Sequence, residues 1–205
     1  MTHPTAQLPP LLRDPGRVLV TGGAGLIGSA LVWGLNQHGV DDIVVVDRLG
    51  SDDRWRNLNA LRFADYLEAD DLFDALETNA LGHFDTVLHL GANSSTLETD
   101  VTGLVHNNFE YTKHLAHWAL AEEATFVYAS SAATYGDGTL GMDDRDDLAS
   151  LRALRPLNAY GYSKHLFDLY AARAGMLEHI VGLKYFNVFG PNEGHKGAMR
   201  SLVHK

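Results

Sequence analysis

The chain contains no cysteine. That excludes a disulfide framework and any thiolate metal site. Basic residues are scarce. Lysine and arginine number 16 against 26 aspartates and glutamates, for a formal net charge of -10. Nucleic acid and anionic membrane surfaces both call for a basic face, so neither is expected as a partner. No apolar run approaches the ~18 residues that suggest a membrane span. The first residues, "MTHPTAQLPPLLRDPG", are proline-rich and lack a charged-then-apolar signal pattern. These absences together predict a cytoplasmic protein. The 11 histidines are scattered. None forms a pair at zinc spacing with a third ligand, so no metal is expected.

What is present is ordinary globular composition. Of 205 residues, 45% are hydrophobic, enough to fill one large core. Residues 1–16 read as a loosely docked or disordered leader. The acidic runs, "DD" at 41–42 and "DDRDD" at 143–147, read as solvated loops. Residues 137–155 read as irregular.

Apolar runs alternate with helical spacing along the rest of the chain. Strands are predicted at 17–21, 42–47, 61–65, 84–92, 125–131 and 179–190. Helices are predicted at 28–39, 71–80, 101–122 and 158–175, with Gly39 closing the first. Strands that are apolar on both faces belong to a parallel sheet covered on both sides. The expected class is α/β, a doubly wound Rossmann-type parallel sheet with helices on both faces and strand order 3-2-1-4-5-6.

The motif "VTGGAGLIGS" (20–29) places Gly22, Gly25 and Gly28 between the first strand and the first helix. A glycine pattern alone is weak. Here it has a strand before it, a helix after it and Asp47 at the end of the next strand. The first glycine allows a tight turn. The second lets backbone approach a pyrophosphate, and the third lets the helix pack on the strand. Asp47 suits the ribose hydroxyls of NAD, whereas Arg48 and Arg54 suit the 2′-phosphate of NADP. An arginine there also suits stacking on adenine. The balance leans to NADP, with NAD the alternative.

"YGYSK" puts Tyr160 and Lys164 four residues apart, on one helical face. A free phenol has a pKa of about 10 and is a poor base at neutral pH. A neighbouring ammonium and a positive nicotinamide favour the phenolate. Ser131 ends the fifth predicted strand, at the sheet edge where open α/β folds bind ligands. These three residues, in this order after a dinucleotide motif, predict a Tyr160 base supported by Lys164 and Ser131.

The segments "TGGAGLIG", "HLGA", "SSAATYG", "YGYSK" and "YFNVFGP" resemble the extended short-chain dehydrogenase/reductase superfamily. "GANSST" (91–96), "NN" (107–108), "LNAYGYSKHLFD" (157–168) and "YFNVFGPNEGHKG" (185–197) resemble its ADP-L-glycero-D-manno-heptose 6-epimerase family. The resemblance covers nearly everything from Arg17 onward. It implies an NADP-dependent isomerase that inverts C6 of ADP-heptose through a transient ketone, in lipopolysaccharide core heptose synthesis. Inversion through a planar centre calls for a proton donor or acceptor on each face. Tyr160 then serves one face and Lys196 the other. From the residues alone, Lys196 reads first as a solvated or phosphate-contacting loop lysine, and the resemblance puts the second-base role ahead.

The resemblance also implies cofactor contacts at Leu26, Ile27, Leu90, Gly91, Ala92, Asn93, Ser94, Asn107, Val188, Lys164 and Lys196. Substrate contacts are implied at Ser95, Asn187, His195 and Ala198. Ala69, Asn93 and Ala198 depart from residues common in the family. The implied partner is a nucleotide sugar, with a homo-oligomer left open. Residues 17–190 are expected to form the dinucleotide-binding domain, and 191–205 the start of a substrate lobe that is largely missing. On that expectation these 205 residues bind cofactor but turn over weakly or not at all. Two rivals remain. One is an NAD(P)-dependent 4-epimerase or dehydratase of another nucleotide sugar. The other is a dinucleotide-binding module without turnover, which has no need of Ser131, Tyr160 and Lys164.

Overall fold

The computed structural model describes residue 11 and residues 13–194. Six parallel strands form one sheet: β1 Val18–Thr21, β2 Ile43–Asp47, β3 Asp65–Glu68, β4 Thr86–His89, β5 Thr125–Ser131 and β6 Ile180–Tyr185. Their order is β3-β2-β1-β4-β5-β6, as the sequence pattern predicts. The helices are α1 Leu26–Gln37, α2 Leu72–Glu77, α3 Val101–Leu104, α4 Tyr111–Ala121, α5 Leu148–Ala153 and α6 Ala159–Arg173. Among the described residues no helix is long and apolar enough to cross a membrane.

The two apolar faces of the strands explain the double layer. Along β1, Val18 and Val20 point to one side and Leu19 to the other. The first side packs on Val32 of α1 and on Leu58. The second packs on Leu76 of α2, Leu115 of α4 and Phe167 of α6. Every residue of β1 and β2 is buried. Each valine so buried stabilises the fold by roughly 1.5–3 kcal/mol.

Several boundaries differ from the sequence pattern. The third strand is 65–68, not 61–65. Leu61 and Phe63 pack under the sheet as the chain approaches it, whereas the paired residues form an edge that is half exposed. Pairing starts at Asp65 opposite Val44. The sixth strand stops at Tyr185, opposite Ser131, because β5 turns there into a 3-10 helix at Ala132–Tyr135. The fourth stops at His89, beyond which Leu90 bonds back to Thr21. The helix expected at 71–80 ends at Glu77, followed by Asn79 at positive φ. Residues 137–155 are not wholly irregular. Asp147 accepts amide hydrogens from Ala149 and Ser150 and starts α5. Gly39 does close α1, with φ +80 and its N–H on the Asn36 carbonyl. The helix expected at 101–122 is present but interrupted. A π-helical stretch, Val105–Glu110, joins α3 to α4.

Candidate active site

The three motif glycines have separate jobs. Gly22 has φ +69, and a Cβ there would lie 2.6 Å from the Gly91 amide nitrogen. A Cβ on Gly28 would lie 2.1 Å from the Gly22 carbonyl oxygen, so this glycine lets α1 close on the turn. Gly25 is different. A Cβ there would meet only the Gly22 oxygen, at 3.2 Å, and its outer side is open. Gly25 is also the N-cap of α1, with no capping side chain and no acid in the first turn. The helix start at Leu26 and Ile27 thus keeps its partial positive charge for an incoming group. An open backbone cradle before an uncapped helix fits a pyrophosphate.

At the far end of that turn, Asp47 accepts the Ala24 amide at 2.9 Å and the Arg48 amide at 2.7 Å. Arg54 lies against both Asp47, at 3.5 Å, and Asp52, at 2.8 Å. The Asp52 hydrogen bond raises the Arg54 pKa most, against the lowering effect of burial. Arg48 reaches across to Asp70 at 2.5 Å and to the Asn107 side chain. Asp47, Arg48, Arg54 and Asn107 therefore do converge, but both guanidiniums already face carboxylates. Ala69 packs against the core nearby.

The loop after β4, residues 90–94, lies against the glycine turn. Its Gly91 amide donates to Thr21 Oγ1 at 3.1 Å. Asn108, fully buried in the π-helical stretch, accepts the Asn93 amide and donates to the Asn93 carbonyl, both at 2.9 Å. Asn93 in turn accepts the Ser95 amide at 3.1 Å. Ala92 is half-buried and Ser94 exposed on this loop.

Ser131 and Tyr160 are brought together by local packing, with Lys164 one turn further along the same helix. Asn158 caps α6 by accepting the Gly161 amide at 2.7 Å. A Cβ on Gly161 would lie 2.7 Å from the Ala133 carbonyl oxygen, so glycine lets the start of α6 press on the turn after Ser131. Burial raises the Tyr160 pKa, and a hydrogen bond from Ser131 works in the opposite direction. Lys164 is buried, and desolvation pushes it down to about 8, partly offset by Asp168. The expected lowering of Tyr160 by Lys164 is not realised here: burial dominates, and the only opposing influence is the Ser131 hydrogen bond.

Beyond β6, Asn187 and Val188 are exposed. The next segment is fastened to the glycine turn. Asn192 donates to Ser29 Oγ of α1 at 2.7 Å, Asn57 bridges the Ala24 and Asn192 carbonyls, and buried Glu193 accepts the Gly190 amide. His195, Lys196 and Ala198 lie outside the described residues.

Five functional candidates escaped sequence reasoning: Thr21, His89, Asn108, Thr112 and Asp168. Asp168 stands four residues beyond Lys164, a spacing that marks a shared helical face. His89 lies within "HLGA" and Asn108 within "NN", but neither pattern tells which side chains turn inward. Among the described residues no cluster suits a metal ion.

Residues 18–205 match the NAD dependent epimerase/dehydratase family. An ADP-L-glycero-D-manno-heptose-6-epimerase of Nitratidesulfovibrio vulgaris is 52% identical over 188 residues, covering 91% of this chain and 58% of the relative. The chain thus spans under two thirds of that relative's length. The Helicobacter pylori ADP-L-glycero-D-manno-heptose-6-epimerase structure superposes with TM-score 0.76 at 28% identity, over 92% of this chain and 60% of that one. The Bacillus cereus UDP-glucuronic acid 4-epimerase, solved in complex with NAD, gives TM-score 0.67 at 26% identity, over 85% and 58%. With a glycine cradle, Tyr160 and a buried Lys164 on one helix, and a family match across 18–205, the chain belongs to the NAD dependent epimerase/dehydratase family.

Proposed function

We propose that the protein is an NADP-dependent epimerase inverting C6 of ADP-heptose through a transient ketone. The observation that carries this is the Ser131–Tyr160 hydrogen bond at the start of the helix that buries Lys164, in a fold that also holds an open glycine cradle. The 52% identity to a heptose-6-epimerase supports this choice of substrate. Gly25, Leu26 and Ile27 would hold the pyrophosphate, and Leu90 to Ser94 with Asn107 would line the dinucleotide. Val188 would lie beside it. Asp47, Arg48 and Arg54 would hold the adenosine end, with the arginines taking the 2′-phosphate of NADP. NAD is the alternative, in keeping with the family description and the complexed neighbour.

A bound nicotinamide supplies the capacity to accept and return a hydride. The chain supplies the proton chemistry. Tyr160, aligned by Ser131, takes the C6 hydroxyl proton on one face. Lys164 holds positive charge beside it. Lys196 serves the opposite face, with Ser95, Asn187, His195 and Ala198 against the sugar. This role is supported by the anchoring of Asn192 on Ser29 and Asn57, which holds the last described residues against the glycine turn and α1. Residues 17–190 are then the dinucleotide domain and 191–205 the start of the substrate lobe.

The test is to add each C6 epimer of ADP-glycero-manno-heptose with NADP and separate the products by chromatography. Interconversion that is lost in Tyr160→Phe, with NADP still bound, supports the assignment. Lys196→Met should spare oxidation of one epimer only. Turnover of a UDP-sugar at C4 instead would replace this function with the rival one.

A further inference from the structure

His89 sits at the end of β4, fully buried, one residue before the loop proposed to line the dinucleotide. Its Nδ1 lies 2.5 Å from Thr21 Oγ1 and its Nε2 lies 2.8 Å from Thr112 Oγ1. The direction of these bonds is determined. Thr112 donates its one hydroxyl hydrogen to the Asn108 carbonyl at 2.6 Å, because a carbonyl can only accept. Thr112 must therefore accept from the ring, which puts a proton on Nε2. Full burial favours an uncharged ring, in which Nδ1 is then the acceptor, and Thr21 donates to it while accepting the Gly91 amide at 3.1 Å. Hydrogen bonds thus run one way from Gly91 through Thr21, His89 and Thr112 to Asn108.

The far end branches. The Asn108 side chain clamps both backbone groups of Asn93 and donates to Ser163 Oγ at 3.0 Å. Ser163 donates to the Tyr160 carbonyl at 2.7 Å. One imidazole therefore links the two ends of the 91–93 loop to the helix bearing Tyr160 and Lys164. The groups facing the ring are Thr21 from β1, Tyr111 and Thr112 from α4, Phe126 from β5 and the charge of Lys164 from α6. Among these the only charge is Lys164. A charged imidazolium would face this ammonium, and none of the groups against the ring is a carboxylate.

We infer that His89 is a positioning residue, held as the uncharged Nε2–H tautomer by Thr21 and Thr112, that fixes the dinucleotide loop at Gly91 and Asn93 and places no second positive charge against Lys164. Burial and the nearby Lys164 lower its pKa to about 3, in agreement with an uncharged ring. The inference rests on the dinucleotide site proposed above.

The experiment is 15N NMR of histidine side chains in the whole chain, together with titration of NAD and NADP. The expected spectrum shows His89 protonated at Nε2 and bare at Nδ1 from about pH 5 to about pH 8, where free histidine titrates. Thr112→Val keeps size but removes the acceptor. It should mix the tautomers and weaken dinucleotide binding about tenfold, as for one buried hydrogen bond lost. Thermal melting verifies that the variant is folded. His89→Leu should weaken binding at least as much, and His89→Gln, which keeps a donor, should recover part of it. An Nδ1–H or charged ring in the wild type overturns the inference, as does a folded Thr112→Val that binds like wild type. A wild type that binds neither dinucleotide overturns the site itself, whatever the tautomer.

Discussion

The Asp168 carboxylate meets the Lys184 ammonium at 2.8 Å, sealed between α6 and β6 with side-chain exposures of 4% and 16%. Tyr128 and Ser130 of β5 donate to the same carboxylate at 2.9 and 2.8 Å, and Lys184 also donates to Thr134. One acid therefore ties the helix carrying Tyr160 to the two strands beneath it and to the turn after Ser131. Removing it leaves a buried, uncompensated cation. Asp168→Ala should destabilise the fold by about 3–5 kcal/mol, read from urea unfolding. Asp168 also opposes the effect of burial on Lys164, so the variant should lower the Lys164 pKa further. A loss below about 1 kcal/mol, the range of exposed pairs, would mean that the pair is not sealed.

The glycine turn separates packing from ligand access. A Cβ on Gly28 would overlap the Gly22 carbonyl at 2.1 Å, which is backbone and cannot step aside. Gly28→Ala should therefore destabilise the protein by about 1–3 kcal/mol or more, as overpacking does, with a lower melting temperature. A Cβ on Gly25 meets one atom at 3.2 Å. Gly25→Ala should leave the melting temperature near wild type but weaken dinucleotide titration. Equal effects in the two assays would remove the division of roles between these residues.

The architecture was legible because strand faces advertise themselves. Val18 to Val20 and Ile43 to Val46 are buried on both sides, and an uninterrupted apolar run has few other uses. The edge was harder to read. β3 is half exposed, so its signal came from Leu61 and Phe63, which lead into it. The π-helical stretch left no trace, because Val105–Glu110 has the spacing of an ordinary helix and its break serves to turn Asn108 inward. At the site, residues that need a fixed backbone (Gly22, Gly28, Gly161) or a fixed helical spacing (Tyr160, Lys164) stand out in sequence. Thr21, His89 and Thr112 do not, since hydrogen bonds between elements 23 and 68 residues apart follow no local pattern.

Under the proposed function, Arg54 is the residue expected to separate the two cofactors. Its guanidinium lies between Asp47 and Asp52, so a 2′-phosphate would have to share it with carboxylates, while a 2′-hydroxyl needs only Asp47. Arg54→Ala should weaken NADP about tenfold or more, as for a lost charged hydrogen bond, and leave NAD nearly unchanged. Calorimetric titration of both dinucleotides decides this. Equal losses would mean that Arg54 acts by holding Asp47 and not by touching the phosphate.

Lys164 makes stability depend on pH in a definite direction. Burial lowers its pKa from the ordinary 10.5 to about 8 in the native state. Below about 8 both folded and unfolded chains carry the proton, and the burial cost of the charge is fully present. Between about 8 and about 10.5 the unfolded chain still holds a proton that the native one has released, so stability rises with pH across this window. The gain is on the order of 3 kcal/mol at most. The buried tyrosines, Tyr111 and Tyr128 among them, are shifted upward and pull the other way in alkali. The informative quantity is therefore the difference between wild type and Lys164→Met, in which their contribution cancels. Urea unfolding at about pH 8 and about pH 10 should show wild type gaining on the variant as pH rises. A constant difference across the window would mean that Lys164 keeps an ordinary pKa, and that its ammonium is not desolvated beside Tyr160.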